Sequence, residues 1–382
     1  MRRHSLFLIA LVAFGFGRPA DILFEKHTID LGSSETAAWA DVNGDGKLDL
    51  ISSEYWYEQP RQAGGKWVPH KFRDLPFLAT EFDNYIDNFS DLPIDVNGDN
   101  RPDVVSCSWF GKRLAWYENP GKIGAMWKEN VFASGFNTEF CFLVDLDNDG
   151  KAREILPQYG GKNAPTEWFE IKDKNFVKHE AGPGQGHGIG AGDVNGDGRN
   201  DILTPKGWFE APPDPRASNW KFHADWETDK APGFMHVLDV NGDGRNDVLY
   251  ANSHDYGIYW MEHTADGKWT RHLIDETWSQ AHPLELIDLN GDGTKDLVSG
   301  KRYMAHSRDP GAREALGLYW YEYNKSADGK RIEWTRHIID YSSRAGGGMQ
   351  VAIRDFDGDG DLDLAAGSKS GLFLFENLTK RK

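Results

Sequence analysis

The stretch DVNGDGRND stands twice in the chain, at 193–201 and 239–247, and its reading decides the fold. Close variants occupy 41–49 (DVNGDGKLD), 95–103 (DVNGDNRPD), 145–153 (DLDNDGKAR), 288–296 (DLNGDGTKD) and 355–363 (DFDGDGDLD). Successive copies begin 54, 50, 48, 46, 49 and 67 residues apart. A recurrence near 50 residues means one supersecondary unit per copy, as in propellers and solenoids.

The flanks of the turn recur as well. A short apolar run follows it, as in DLISS, DVVSC, DILTP and DLAAG. Next comes an aromatic pair before Glu, such as Trp56-Tyr57-Glu58, Trp168-Phe169-Glu170 and Trp320-Tyr321-Glu322. A fourth segment carries WVPH, FVKH, WKFH or WTRH. Four short strands per unit with Gly/Asp turns describe a propeller blade. The last copy stops after its third strand, and FEKHTID at 24–30 matches WTRHIID at 334–340. The sequence therefore predicts an all-β fold, a seven-bladed β-propeller whose N-terminal strand closes the last blade.

Fifteen Trp and 42 Gly among 382 residues fit many short strands better than a helical bundle. The net charge is −17, which excludes a nucleic-acid partner, because phosphate binding needs a basic face. Residues 1–20 have a basic start, a short apolar stretch and a small-residue end, the form of a signal peptide. The expected organisation is thus a signal over 1–20 and one propeller domain over 21–382, secreted or periplasmic, with no membrane span. Cys107 and Cys141 are too few for a disulfide scaffold and are expected as free, buried thiols.

In each Asp-rich turn, side chains at positions 1, 3, 5 and 9 can surround one hard cation, and the Gly at position 6 permits the bend. The candidate Ca²⁺ (or Mg²⁺) ligands are Asp41, Asn43, Asp45 and Asp49 in the first turn and Asp95, Asn97, Asp99 and Asp103 in the second. Asp193, Asn195, Asp197 and Asp201 follow in the fourth, then Asp239, Asn241, Asp243 and Asp247 in the fifth. Asp288, Asn290, Asp292 and Asp296 belong to the sixth, and Asp355, Asp357, Asp359 and Asp363 to the seventh. The third turn departs, because Arg153 stands at its ninth position. The seven turns hold 23 Asp, more than the whole net charge, so the acidity belongs to the turns. The loops and their period resemble FG-GAP/VCBS repeats, the propeller units also found in integrin α-chains.

Six histidines, at 27, 70, 179, 223, 272 and 337, share the fourth-strand position and are read as structural. His187, His236, His254, His282 and His306 remain, all in the fourth to sixth units. His187 and His282 stand six residues before their first loop Asp, as do Glu35 and Glu139. At about 3.3 Å per residue these groups lie roughly 20 Å from the loops, at the other mouth of the channel. His236 stands three residues before its Asp and has the opposite strand parity. The second-strand exits bring His254, Tyr256, Lys301 and Arg302 to the same mouth. Three imidazoles around one open position suit Zn²⁺, and His187 and His282, with His236 or His254, are the candidate zinc ligands.

The segments GQGHGIGAGDVNGDGR (184–199), NSHDYGIYW (252–260) and SGKRYMAHSRDPGA (299–312) resemble the propeller domain of the aldos-2-ulose dehydratase/isomerase family. The resemblance implies a zinc-dependent lyase acting by β-elimination on a keto sugar or keto-glycoside. By placement, His254 or Tyr256 would supply proton transfer and Lys301 and Arg302 would stabilise the oxyanion, with Glu139 a further catalytic candidate. The chain has no cupin domain, which removes the basis for the family's isomerising step. The competing reading is a non-catalytic secreted propeller that binds a glycan or protein.

Overall fold

The computed structural model describes residues 21–62, 64–79, 84–161, 163–303, 306–326 and 331–380. The signal-like segment 1–20 lies outside the described residues. Every regular element among them is a β-strand, and each repeat folds as an antiparallel meander of four. Each strand alternates side chains between its two faces, and both faces are covered, so the middle strands are buried throughout. Asp103–Ser108 and Asp296–Lys301 are examples.

The sequence predicts seven separate blades, and this needs correction. Five four-stranded blades stand as separate sheets, while the fourth and fifth units share one eight-stranded sheet. Their innermost strands, Ile189–Gly192 and Pro232–Leu238, pair in parallel, with Gly190 opposite Met235. Glycine makes this approach possible, since a β-carbon at Gly190 would fall 2.0 Å from the Met235 carbonyl oxygen. At the chain ends, Phe24–Asp30 pairs antiparallel with Gly371–Asn377, His27 facing Leu374. The N-terminal strand thus completes the last unit and covers its edge.

The units are held together face to face. Seven apolar clusters fill the spaces between neighbouring units, one of them joining Ala37, Leu50 and Tyr57 of the first to Ala365 and Leu372 of the last. Within units, the repeated Trp, His and Glu form a fixed trio. Trp56 stacks on His70 at 4.2 Å and Trp320 on His337 at 4.1 Å, and the imidazoles meet Glu58 and Glu322 at 3.0 and 3.1 Å. His179, His223 and His272 repeat the arrangement, so these histidines tie the two outer strands together.

In the Asp-rich turns the ninth residue has a structural task. Asp49 is buried, and its two oxygens accept the amides of Val42 and Gln59 at 3.0 and 2.9 Å. Asp103, Asp201, Asp247, Asp296 and Asp363 do the same in their units. Both oxygens of the ninth residue thereby staple the turn to the end of the third strand. Burial pushes these carboxyls up to about 6 or 7, against the pull of the two amides. The third unit keeps the half of the staple within the turn despite Arg153. Glu154, one residue later and one methylene longer, accepts the Leu146 amide at 2.9 Å.

Cys107 and Cys141 are buried and free. Burial, with a hydrogen bond between the two thiols, holds Cys141 well above the ordinary thiol range.

Candidate active site at the channel mouth

The innermost strands surround a central cavity of about 470 Å³, with Phe140, His282 and Met349 at one end and Glu285 and Arg354 farther along. The four residues that stand six positions before a loop Asp converge at the first end. Glu139, His187, Glu35 and His282 all touch either one another or Arg302. The equivalent positions in the remaining units are Phe89, Gly233 and Met349. Phe89 lies 5.4 Å below the Arg302 guanidinium, and Gly233 leaves room beside the His282 carbonyl.

Glu139 is the hub. His187 Nε2 lies 2.8 Å from Glu139 Oε2 and 3.1 Å from His254 Nε2. Arg302 Nη1 donates to Glu139 Oε1 at 3.2 Å and to His282 Nε2 at 3.1 Å, and its Nε donates to Glu35 Oε2 at 3.1 Å. Lys369 Nζ stands 3.8 Å from Glu35 and 3.7 Å over the Tyr85 ring. Burial pushes Glu139 up, but the charge and hydrogen bond of His187 beside it hold it well below the carboxylate range. Burial pulls His187 down, and Glu139 more than offsets this, so His187 is raised. Burial lowers His254 to about 4, and burial with the Arg302 charge keeps His282 well below its ordinary value.

The second nitrogens are fixed from behind. His187 Nδ1 donates to the Pro232 carbonyl at 2.8 Å, and His254 Nδ1 donates to Asp309 Oδ2 at 3.0 Å. Such outer hydrogen bonds set the tautomer and turn both Nε2 atoms inward. Glu139, His187 and His254 each place a ligating atom within 4.8 Å of the other two.

Two expected zinc ligands do not fit that set. His282 Nε2 faces the Arg302 guanidinium, whose charge opposes a cation at that nitrogen. His236 lies deeper, where its Nε2 donates to the Leu284 carbonyl at 2.6 Å, and burial lowers it to about 4. Tyr256 and Lys301 also stand outside the hub. Tyr256 donates to Glu314 at 2.5 Å, while buried Lys301 donates to Ser279 Oγ at 2.6 Å and to the Gly311 carbonyl at 2.8 Å. Burial lowers Lys301 to about 8. Both clamp the insertion over 306–316, which carries Asp309 and the exposed His306, stacked 4.9 Å from His254. Asp309 escaped the sequence reading because the insertion has no counterpart in other units and so no register to compare.

Residues 95–152 and 239–299 match the FG-GAP-like repeat. The chain carries FG-GAP-like repeats in a propeller. No curated protein matches its sequence. Among solved structures, BBS1N in complex with ARL6DN is similar at a TM-score of 0.55, with 11% identity over 94% of this chain and 98% of that one. That likeness is one of fold. A protein from Lactobacillus plantarum reaches a TM-score of 0.48 at 8% identity, covering 90% of this chain and 87% of that one. A putative gluconolactonase reaches 0.40 at 12% identity, covering 94% of each. Among the described residues, no helix is long and apolar enough to cross a membrane.

Proposed function

We propose that the mouth cluster is the active site of a metal-dependent lyase that eliminates a group β to a sugar carbonyl. In this reading the eight-stranded sheet counts as two blades, so that seven units ring one asymmetric site. The observation that supports it is the convergence of two inward-turned Nε2 atoms on a carboxylate, each imidazole held from behind by an oxygen acceptor. Glu139, His187 and His254 would hold the ion, in place of the trio expected from the sequence. A divalent ion there would supply Lewis acidity toward a ketone oxygen.

The chain's own residues do the rest. Arg302 orients Glu139 and favours its ionised form. His282 accepts from the same guanidinium and fixes its plane. His306, exposed beside His254, is the imidazole left to take the proton next to the carbonyl. Resemblance to the aldos-2-ulose dehydratase family supports the substrate class. The N-terminal segment supports export. The clustering of the first, third and fifth positions, as in Asp145, Asp147 and Asp149, supports Ca²⁺ or Mg²⁺ there, with the ninth read as a staple.

The burial of Glu139, Arg302 and His282 favours a second reading. Here the cluster is an ion-pair network that plugs the channel of a glycan- or protein-binding propeller. Titrating metal-free protein with Zn²⁺ separates the two. The lyase reading expects one tight site, lost in His187→Ala and Glu139→Gln, together with enone absorbance from a 3-keto-glycoside or 1,5-anhydrofructose. No uptake and no absorbance would leave the binding reading.

A further inference from the structure

The insertion over 306–316 belongs to no repeat unit, yet it is braced from below. Buried Lys301 and Gln280 donate to its carbonyls at Gly311 and Pro310, and Tyr256 donates to its Glu314. Within it the chain turns tightly. The Asp309 amide donates to the His306 carbonyl at 3.0 Å, and the Ala312 amide to the Asp309 carbonyl at 3.1 Å. Turns closed three residues apart bring side chains i and i+3 to one side. His306 and Asp309 therefore share a side, and both meet His254 there.

His254, His306 and Asp309 each place a ligating atom within 4.8 Å of the other two. This set shares only His254 with the Glu139 hub, and it uses the other ring nitrogen. His254 presents Nε2 to His187 at 3.1 Å and Nδ1 to Asp309 Oδ2 at 3.0 Å. The donors are open to solvent. The side chains of His254 and Asp309 are 18% and 21% exposed, and His306 is exposed at the rim. Among the described residues, the His306 ring has a stacking partner in His254, at 4.9 Å and 15° between planes, and no hydrogen-bond partner. Among the same residues no Lys or Arg pairs with Asp309, so its charge is left for a cation. Two imidazoles and one carboxylate suit Zn²⁺ or Cu²⁺ rather than Ca²⁺.

We propose that His254 Nδ1, His306 and Asp309 form an outer site for a second divalent cation such as Zn²⁺, filled after the inner site and sharing the His254 ring with it. His254 exchanges its Nδ1 hydrogen, lost to solvent as H⁺, for the outer cation, and its ring then bridges the two ions. His254 and Asp309 already stand in place, and the exposed His306 ring turns out of its stack to bring a nitrogen to the ion. The consequence of this site rests on the lyase reading. There His306 takes the proton next to the carbonyl, and a cation on its nitrogen occupies the lone pair that would accept it. The outer site is thus inhibitory, so zinc in excess stops the elimination that the first equivalent supports.

The test is equilibrium dialysis of the metal-free full chain against Zn²⁺, with Ca²⁺ in excess to occupy the Asp-rich turns, and electron paramagnetic resonance of the Cu²⁺-loaded protein. Wild type is expected to take up a second Zn²⁺ more weakly than the first. Two Cu²⁺ ions bridged by one imidazole should couple, so the signal of isolated Cu²⁺ falls as the second ion enters. His306→Ala changes an exposed residue outside the core, and should weaken the second uptake about tenfold or more while keeping the first. Asp309→Asn should weaken the second uptake as well, and His187→Ala should lose the first and keep the outer one. No second uptake, a second uptake indifferent to both His306→Ala and Asp309→Asn, or two Cu²⁺ without coupling overturns the proposal. With 1,5-anhydrofructose, turnover should rise with the first equivalent of Zn²⁺ and fall with the second; a plateau with both sites full overturns the inhibitory role. Elimination with one Zn²⁺ and no second uptake overturns the outer site and spares the lyase reading. A His306-dependent second uptake without elimination at any zinc level does the reverse.

Discussion

At the scale of single residues, the channel wall holds a carboxyl and an imidazole displaced in opposite directions. Burial raises Glu285 to about 7, with Arg354 pulling against it, and lowers His236 to about 4. The consequences for stability have opposite signs. Glu285 binds its proton more tightly in the folded protein than in the unfolded chain. Its contribution is therefore complete below pH 4.5 and is lost as pH rises through about 7. His236 binds its proton less tightly when folded, so its contribution is present above pH 6.5 and is lost as pH falls toward 4. Replacing Glu285→Gln should flatten the alkaline side of the stability profile between pH 4.5 and 7. It should also stabilise the protein at pH 8 by on the order of 1 kcal/mol, since water in the channel screens part of the effect. Urea titrations across that range check this, and an unchanged profile would show that Glu285 is solvated.

At the scale of elements, the Asp-rich turn separates into two jobs that its sequence merges. The ninth residue staples the turn to the third strand, while the first caps the turn itself, as Asp193 does for the amides of Gly196, Asp197 and Gly198. Asp201→Ala should leave the buried amides of Val194 and Ala211 unpaired and cost about 2–3 kcal/mol with or without Ca²⁺. Asp197→Ala, at an exposed fifth position, should cost little in chelator and instead remove the calcium dependence of Tm. Calorimetry of both variants with and without chelator reads this out. Equal calcium sensitivity in the two would return the ninth residue to the ligand set.

The insertion over 306–316 is the second element with a defined task. Lys301 and Gln280 donate to its carbonyls at Gly311 and Pro310, and Tyr256 donates to its Glu314. Asp309 is thereby held against His254. Lys301→Met should cost about 1–3 kcal/mol through the acceptors it strands. It should also weaken Zn²⁺ uptake about tenfold or more, because the His254 tautomer loses its support. Isotope-edited NMR of the His254 ring nitrogens would show the loss. If uptake and tautomer survive, Lys301 is not the clamp.

At the scale of the whole molecule, the first and last strands share one sheet, and the last of the inter-unit apolar clusters depends on that closure. Removing residues 21–30 should expose the edge of Gly371–Asn377, lower the cooperativity of unfolding and promote association through the bared edge. Denaturation and light scattering of the truncated chain test this. A monomer that unfolds with unaltered cooperativity would show that the ring holds without its closing strand.

The sequence by itself determined the repeat, the strand class and the closure, because each rests on a periodic pattern that any single unit repeats. The recurrent histidines at 70, 179, 223, 272 and 337 sorted into a Trp-stacked structural group for the same reason. The common six-residue offset also brought Glu35, Glu139, His187 and His282 to one mouth, since equal distance along equivalent strands is equal height in a ring. Tertiary structure alone decided what happens sideways between units. It paired Gly190 with Met235 and merged two sheets, placed Arg302 against His282, and let Glu154 reach the amide that Arg153 cannot serve. It brought Asp309 to His254 from an insertion outside the repeat, and turned Tyr256 and Lys301 into supports. Periodicity encodes height along a strand. Which side chains meet across the ring depends on packing between units, and no interval in the sequence records it.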